Sequence, residues 1–157
     1  MAELDRIDRR ILACLQRDGR ATNVQIARQV HLSTAQCLRR VRSLEQSGVI
    51  RRYAALVDPG RLGLAVSAYV SIAIGREDAR RAREVERLIN DFPEIVECHA
   101  ISGDFDYMLK VVASDLKALS EFLTDRLLQL QGVAGVRSAI CLEEIKPLSP
   151  LPEDPRR

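Results

Sequence analysis

The first third of the chain repeats apolar residues at the spacing of an α-helix, which predicts three short helices. In the first segment the apolar positions are Leu4, Ile7, Ile11, Leu12 and Leu15. Acidic Asp5 and Asp8 favour the N-terminus of this helix, and Gly19 favours its end. Three helices of this size can share one small core.

The second and third helices are predicted by their start signals as well as by their apolar stripes. Thr22 is followed after three residues by Gln25, and Ser33 by Gln36, which is the spacing of the capping box. The stripes comprise Val24, Ile26, Ala27 and Val30 in the second helix, and Cys37, Val41 and Leu44 in the third. Gly48 fits the position that follows a helix end.

With its stripe buried, the third helix presents small, amide and guanidinium groups on its outward side. These are Ala35, Gln36, Arg39, Arg40 and Ser43, with Arg42 at the margin. Such groups suit the major groove of duplex DNA, where Gln pairs with adenine and Arg with guanine or phosphate. The pattern predicts a helix-turn-helix DNA reader. The alternative is a solvated surface helix that Ser33 and Gln36 merely cap.

The rest of the chain alternates strand and helix patterns in the order β-α-β-β-α-β, typical of ferredoxin-like domains. Strands are predicted at Ala65–Ile74, Ile95–Ile101, Tyr107–Ala113 and Val133–Ile145, and helices at 79–92 and from Leu116 to Leu130. Such a sheet has helices on one face only. We therefore expect Val, Ile and Leu on the other face to be covered by a second copy, in a homodimer built sheet to sheet.

These patterns predict an α+β chain with a three-helix, winged helix-turn-helix domain at 1–50 and a ferredoxin-like, ACT-like domain at 64–146. Residues 51–63 are interpreted as a linker or strand, because an apolar, β-prone run precedes the turn signal Asp58-Pro59-Gly60. A Pro-rich tail at 147–157 is predicted to be extended or disordered and is assigned no role.

The charge is divided unevenly between these parts. Residues 1–60 hold 11 Arg and no Lys against 6 Asp and Glu, a net charge of +5. The remaining residues hold 13 Lys and Arg against 16 Asp and Glu, a net charge of −3. Since phosphate neutralisation supplies most non-specific affinity, a polyanionic partner is expected at the N-terminal part.

The overall composition narrows the class of protein further. A hydrophobic content of 46% is ordinary for a globular chain, and no apolar run is long enough to cross a membrane. Without a signal peptide, we expect a cytoplasmic protein with no membrane partner. Cys14, Cys37, Cys98 and Cys141 are widely spaced and are expected to be reduced core thiols.

Catalytic motifs are not evident in the sequence. Cys98 and His99 are neighbours on a predicted strand and point to opposite faces, so they do not form a nucleophile and base pair. Asp104 and Asp106 have no His or Cys cluster to complete a metal site, and nucleotide-binding glycine patterns are missing. We therefore expect no enzymatic activity, no metal and no cofactor.

From Leu4 to Lys146 the chain resembles the leucine-responsive regulator family, also called Lrp/AsnC or feast/famine regulators. The segments that carry the resemblance are Leu4 to Asp8, Cys37 to Glu45, Gly48 to Ile50, Glu97 to His99 and Gly103 to Tyr107. The resemblance implies a transcription factor for promoter or operator DNA whose homodimers assemble into octamers, as tetramers of dimers. It also implies a free amino acid as effector, bound between dimers near the Gly-Asp-x-Asp segment.

The outward helix face and the resemblance together give two sets of candidate residues. The DNA-binding set is Thr22, Asn23, Ser33, Thr34, Ala35, Gln36, Arg39, Arg40, Arg42 and Ser43. The effector-binding set, matched to the family's loop and last strand, is Ser102, Gly103, Asp104, Phe105, Asp106, Tyr107 and Ser138. Backbone N–H groups beside a glycine can hold a carboxylate, and a carboxylate can accept an ammonium group. From the residues alone, a simple hairpin turn at Gly103 is the alternative.

The chain departs from its relatives at Val136, where some carry Thr, and at Thr34 to Gln36, where Pro is frequent. Base contacts and pocket polarity are therefore not carried over. The mechanism expected is a ligand-driven shift between assemblies that alters the spacing of the DNA-reading helices. The alternative function is an amino-acid-binding regulatory subunit that controls an enzyme through protein contact. The basic N-terminal part, with Arg39 and Arg40 outward, favours DNA.

Overall fold

The chain folds into two compact units, each with its own hydrophobic core. The computed structural model describes residues 4–75 and 79–152, with no side chains described for residues 79–81. The first unit contains the described residues up to Leu56 and those of the tail from Lys146. The second unit runs from Val57 to Ile145.

Three helices form the first unit: α1 (Arg6–Arg17), α2 (Asn23–Val30) and α3 (Thr34–Gln46). Each begins with a capping box, whose N-cap residues are Asp5, Thr22 and Ser33. The predicted helix starts are therefore confirmed. His31 has a left-handed backbone (φ 59°) that ends α2 and turns the chain into α3, and Gly48 (φ 74°) follows the end of α3.

The apolar stripes of the three helices meet in one core. Its buried members are Ile11, Cys14, Ile26, Ala27, Val30, Cys37, Val41 and Leu44. The prediction was wrong for Val24, which is 45% exposed. At 3.6 residues per turn, Val24 lies about 110° around α2 from the centre of the face formed by the other three stripe residues, which leaves it at the flank.

Of the two interpretations of residues 51–63, linker or strand, the strand is wrong. Among the described residues of the first unit no strand forms; residues 51–58 are irregular, and a 3-10 helix occupies Pro59–Leu62. All four strands of the chain's sheet lie within residues 66–140, so this segment has no strand to pair with. The predicted turn is present, because Asp58 Oδ1 accepts a hydrogen bond from the Gly60 N–H at 2.9 Å.

The second unit has the predicted order β1 (Val66–Ile74), α4 (Ala79–Asp91), β2 (Ile95–Ala100), β3 (Tyr107–Ala113), α5 (Leu116–Glu121) and β4 (Val133–Ile140). Every strand pair is antiparallel, and the sheet order is β2-β3-β1-β4. This confirms the ferredoxin-like fold. Val70 at the centre of β1 pairs with Leu109 on one side and Ser138 on the other.

The two faces of the sheet differ in composition. The buried face contributes Ala68, Val70, Ile72, Tyr107, Leu109, Val111 and Ala113 to a core shared with α4 and α5. The expectation that Val, Ile and Leu fill the other face is wrong. The strand register places there Ser67, Tyr69, Ser71, Ala73, Met108, Lys110, Val112, Arg137 and Ala139. This outer face is therefore a mixed surface with apolar members at its centre.

The last strand and the second long helix also differ from the prediction. The strand ends at Ile140 rather than Ile145, because the last bond to β1 is the one that the Cys141 N–H donates to the Ser67 carbonyl. After Glu121 the helix changes to a π-helix at Phe122–Leu127. This wider turn lets the buried residues follow a five-residue step after Phe122, where a regular helix would use three or four.

Two further expectations have mixed outcomes. Cys14 and Cys37 are buried as predicted, but Cys98 on an edge strand and Cys141 beyond β4 are exposed. The described tail residues are irregular as predicted, although the Leu151 N–H donates to the Gln16 side-chain oxygen at 2.7 Å. Residues 153–157 of the predicted tail lie outside the described residues.

Candidate functional sites

One side of α3 is open to solvent along its whole length. Glu45 and Gln46 are exposed near its end. The other exposed residues on this helix and its cap are Ser33, Thr34, Ala35, Gln36, Arg39, Arg42 and Ser43. They share one surface because the opposite side of α3 is held in the core by Cys37, Val41 and Leu44. Thr22, at the start of α2, is exposed as well. Small side chains at Ala35 and Ser43 leave room for a close approach to a partner.

Two polar members of the predicted DNA-binding set also hold the first turn of α3. Gln36 Oε1 accepts from the Ser33 N–H at 3.2 Å and from the Ser33 hydroxyl at 3.0 Å. The Gln36 N–H donates to Ser33 Oγ at 3.2 Å. A Gln that reads adenine uses both its oxygen and its amide group. In Gln36 the oxygen is already engaged, so its amide N–H groups are what it can offer to DNA.

Arg40 is turned away from the open side of α3 toward the start of α1. Its Nη1 lies 2.8 Å from Asp5 Oδ2 and 2.7 Å from Asp8 Oδ1. Hydrogen bonds to Asp8 and then to Asp5 raise the pKa of the guanidinium. The Asp8 N–H is the strongest influence on Asp5, and together with Arg40 it lowers the pKa of that carboxyl group despite partial desolvation. Periodicity gave no sign of this contact between distant segments.

Asn23 of the predicted DNA-binding set is half-buried at the start of α2. Its Oδ1 faces Cys37 of α3, with 4.0 Å between that oxygen and Cys37 Sγ. Burial raises the pKa of the Cys37 thiol, which keeps it protonated as a weak donor. Asn23 therefore lies between the two helices rather than on the open side of α3.

Two arginines that follow α3 were missed by sequence reasoning. Arg51 and Arg52 are exposed, and the chain on both sides of them is attached to α3. The Ile50 N–H donates to the Leu44 carbonyl at 3.0 Å, and the Tyr53 hydroxyl donates to Glu45 at 2.9 Å. The signal for them was the Arg-Arg pair, which begins five residues after the last residue of α3. They extend the basic surface beyond α3.

The predicted effector loop joins β2 to β3. Gly103 has a φ of 125°, a conformation that side chains disfavour, and nothing lies within 4 Å of the Cβ position. Ser102 and Asp104 are exposed beside it. Asp106 has a different environment: its Oδ2 accepts from the Ile74 N–H at 2.6 Å, and its own N–H donates to the Ile72 carbonyl at 2.9 Å. Asp106 therefore attaches the loop to β1.

Tyr107 and Ser138 lie on the helix-covered face of the sheet. The Tyr107 hydroxyl donates to Glu86 Oε1 at 2.7 Å, and burial together with this carboxylate raises its pKa to about 12. Tyr107 is thus a core residue at the foot of the loop. Ser138 is exposed because β4 is an edge strand, and β1 separates it from the strand that carries the loop. One chain does not gather Ser138 and the loop tip into one pocket.

Phe105 contacts a residue that sequence reasoning missed. The guanidinium carbon of Arg137 lies 4.9 Å from the centre of the Phe105 ring, within the range of a cation–π contact. Arg137 is exposed on β4, next to Ser138 but on the outer face of the sheet. It places a positive charge beside the loop. The only signal for Arg137 in the sequence was its position next to the predicted site residue Ser138.

Other classes of site were sought in the part of the chain that the structure describes. No group of His, Cys, Asp and Glu there could hold a metal ion. No helix in the described ranges is long and apolar enough to cross a membrane. Cys98 and His99 pair with Leu109 and Met108 respectively, so their side chains lie on opposite faces of the sheet as predicted.

Comparison with known proteins decides the family. A family model described as winged helix-turn-helix DNA-binding matches residues 4–51, and one described as the Lrp/AsnC ligand binding domain matches residues 67–151. The chain belongs to the Lrp/AsnC family. It is a DNA-binding transcriptional regulator that carries the Lrp/AsnC ligand-binding domain, and the first of the two functions predicted from the sequence is confirmed.

Individual Lrp/AsnC proteins are similar over nearly the whole chain. The leucine-responsive regulatory protein of Escherichia coli (strain K12) is 42% identical over 144 residues, which cover 92% of this chain and 88% of that protein. A transcriptional regulator from Neisseria meningitidis, solved as a complex with L-Met, is 37% identical with a TM-score of 0.91, covering 96% of this chain and 97% of that one. An AsnC family transcriptional regulator from Agrobacterium tumefaciens is 38% identical with a TM-score of 0.88, and the match covers 95% of this chain and 97% of that one. All three carry the names of regulators.

Proposed function

We propose that α3 enters the major groove of promoter or operator DNA, with Arg39 and Arg42 on phosphates or guanine edges. Ala35 and Ser43 then lie closest to the bases. The observation that carries this proposal is the open side of α3, where Arg39 and Arg42 are exposed and make no ion pair within the described ranges. Guanidinium groups free of carboxylates can release counterions when they meet phosphates.

Titration of the protein against its own upstream DNA at several salt concentrations tests the proposal. Removal of one arginine that neutralises a phosphate reduces the slope of log K against log salt by about 0.9. We expect this reduction for Arg39→Met. The matched control is Arg87→Met on α4, which removes the same charge from the other unit and leaves the slope unchanged. Equal slopes for both variants and the wild type would contradict the proposal.

For the second unit we propose an amino-acid effector held at the loop of Ser102 to Asp106. The L-Met complex of the Neisseria meningitidis relative supports this class of ligand. Backbone N–H groups beside Gly103 and the guanidinium of Arg137 suit the carboxylate of an amino acid, and Asp104 suits its ammonium group. Ser138 and the loop lie on different strands, so we propose that a second copy of the chain completes the site.

A thermal-shift screen of the common amino acids, beginning with L-methionine and L-leucine, tests this effector. A ligand that binds only the folded state at about 100 times its Kd stabilises the protein by about 2.7 kcal/mol. We expect Asp104→Ala to remove the shift without lowering the melting temperature of the free protein. A flat response across the whole panel would refute the effector proposal and leave the DNA proposal intact.

We further propose that residues 64–146 form the oligomer, that 1–50 read DNA, and that 51–63 connect them. The outer face supports a homodimer, because Tyr69 is 44% exposed there, opposite Lys110 and diagonal to Val112 and Met108. Dimers then associate into octamers, and the effector shifts the balance between assemblies. Light scattering with Tyr69→Glu tests the dimer, since a charge at a buried interface is costly. An unchanged mass for this variant would exclude the outer face as the interface.

A further inference from the structure

We propose that Arg40 is a positioning residue, which fixes α3 on the start of α1 through Asp5 and Asp8 and makes no contact with DNA. The inference rests on the proposed entry of α3 into the major groove. It assigns different roles to two adjacent arginines. Arg39 points to the open side of the helix, and Arg40 joins two helices of the DNA-reading unit.

The geometry of the two carboxylates leaves little freedom at this contact. Asp5 Oδ1 accepts from the Asp8 N–H at 2.8 Å, and Asp8 Oδ2 faces the Asp5 N–H at 3.4 Å. The remaining oxygens, Asp5 Oδ2 and Asp8 Oδ1, are the two that meet Arg40 Nη1. Each carboxylate therefore uses one oxygen in the capping box of α1 and one on Arg40. The capping box sets the side-chain directions that the guanidinium needs.

The burial of Asp8 and Arg40 separates their contact from an ordinary surface ion pair. The Asp8 side chain is only 18% exposed and the Arg40 side chain 32% exposed, whereas Asp5 is 49% exposed. Partial burial reduces screening by salt and solvent, which favours a defined geometry. The residues are 32 and 35 positions apart in the sequence. The contact therefore joins two helices that are distant in the sequence and restrains α3 relative to α1.

The local charge also argues against a phosphate contact at Arg40. One guanidinium faces two carboxylates, so the group carries a net negative charge at neutral pH. A phosphate that approached Arg40 would meet Asp5 and Asp8 at the same place. Arg40 therefore neutralises no phosphate, releases no counterion from the DNA and adds nothing to the salt dependence of DNA binding.

The two roles predict effects of opposite sign for one pair of substitutions. Asp5→Asn with Asp8→Asn keeps one acceptor oxygen at each position and a good N-cap residue, but replaces the other oxygen with an NH2 group and removes both negative charges. If Arg40 bound phosphate, this change would free its charge and strengthen DNA binding. If Arg40 positions α3, the same change weakens binding, because the helix loses its attachment.

The experiment measures DNA affinity and its salt slope for wild type, Arg40→Met, the two Asn substitutions together, and all three combined. We expect Arg40→Met and the Asn pair each to weaken binding about three- to tenfold, and the combination to be no weaker than either, since coupled groups are not additive. The salt slope stays unchanged in all three variants. Tighter binding by the Asn pair, or a slope reduced by about 0.9 in Arg40→Met, overturns the proposal.

Two controls separate this proposal from folding and from DNA binding itself. The same four proteins are unfolded in urea, and the proposal requires a coupling free energy between Arg40 and the aspartates; additive effects overturn it whether or not DNA binds. Arg40→Lys serves if Arg40→Met does not fold, because a single ammonium group restores one ion pair and should recover part of the DNA affinity. No recovery by Lys in a folded protein would also count against positioning. Absence of wild-type DNA binding refutes the proposed docking and leaves the urea result to decide the contact.

Discussion

Replacement of Asp106 by Ala tests whether this carboxylate holds the candidate effector loop on the sheet. Its Oδ2 accepts from the Ile74 N–H at 2.6 Å, and its backbone exchanges further bonds with Ile72 and Ile101 at 2.9 Å. The backbone bonds survive the substitution, and only the bond to Ile74 is removed. Ile74 ends β1, and its N–H then has no carboxylate to bind.

The size of the effect follows from the charge and exposure of the pair. A hydrogen bond to a charged group contributes about 1.5–3 kcal/mol, and Asp106 is exposed, so we expect about 1.4 kcal/mol. That free energy raises the local opening constant at the Ile74 amide about tenfold. Hydrogen–deuterium exchange of a peptide that spans the end of β1 measures this directly.

Asp104→Ala is the matched control, because it removes the same charge two residues away. Asp104 is exposed on the loop and is not placed against β1. We expect exchange at Ile74 to change by no more than about 2.3-fold in this variant, as a surface substitution alters stability by about 0.5 kcal/mol or less. Equal exchange rates in the two variants would refute the assignment of Asp106 as the anchor of the loop.

Three other substitutions, two of them with a matched control, test the fold. Gly48→Ala should destabilise the protein by about 1 kcal/mol in urea unfolding, because φ is 74° with open space around the added Cβ; Gly19→Ala, without a positive φ, should not. Leu127→Ala should cost about 2–5 kcal/mol because this side chain is fully buried, whereas Leu116→Ala, at 59% exposure, should cost far less. A backbone N–H and a guanidinium lower the pKa of Asp5, so its ionised carboxylate stabilises the folded protein above about pH 4, and this stabilisation is lost as the pH falls further. The melting temperature of Asp5→Asn, measured by circular dichroism, should therefore change less with pH over this range than that of the wild type.

The parts of the fold that depend on short sequence separations were predictable. Capping boxes join residues three apart, so the starts at Thr22 and Ser33 could be identified before any tertiary contact was known. The alternation of larger apolar side chains with smaller or polar ones along β1 likewise separated its buried face from its outer face before any tertiary contact was known. The helix-turn-helix face of α3 followed because three buried residues at helical spacing define the side that stays open.

The parts that depend on register and on distant partners were not predictable from pattern. The composition of the outer face depends on which residues of β3 and β4 pair with β1, and the sequence of one strand does not contain that information. The end of β4 is likewise set by the end of its partner. The π-helix that begins at Phe122 arises from the spacing of the core around it, which helix propensity does not describe.

In each of the two candidate sites, one residue holds a structural element in place and a near neighbour remains available to contact a partner. On α3, Arg40 is engaged by two carboxylates while Arg39 is open; on the loop, Asp106 is bonded to β1 while Asp104 is exposed. The members of each pair carry the same charge, so composition and motif cannot distinguish them. A variant that changes both members of a pair lowers the affinity for the partner whether the contact itself or its structural support is lost. Single substitutions separate the two roles. For the arginines the salt slope of DNA binding shows which one contacts the partner, and for the aspartates hydrogen exchange at β1 shows which one holds the loop.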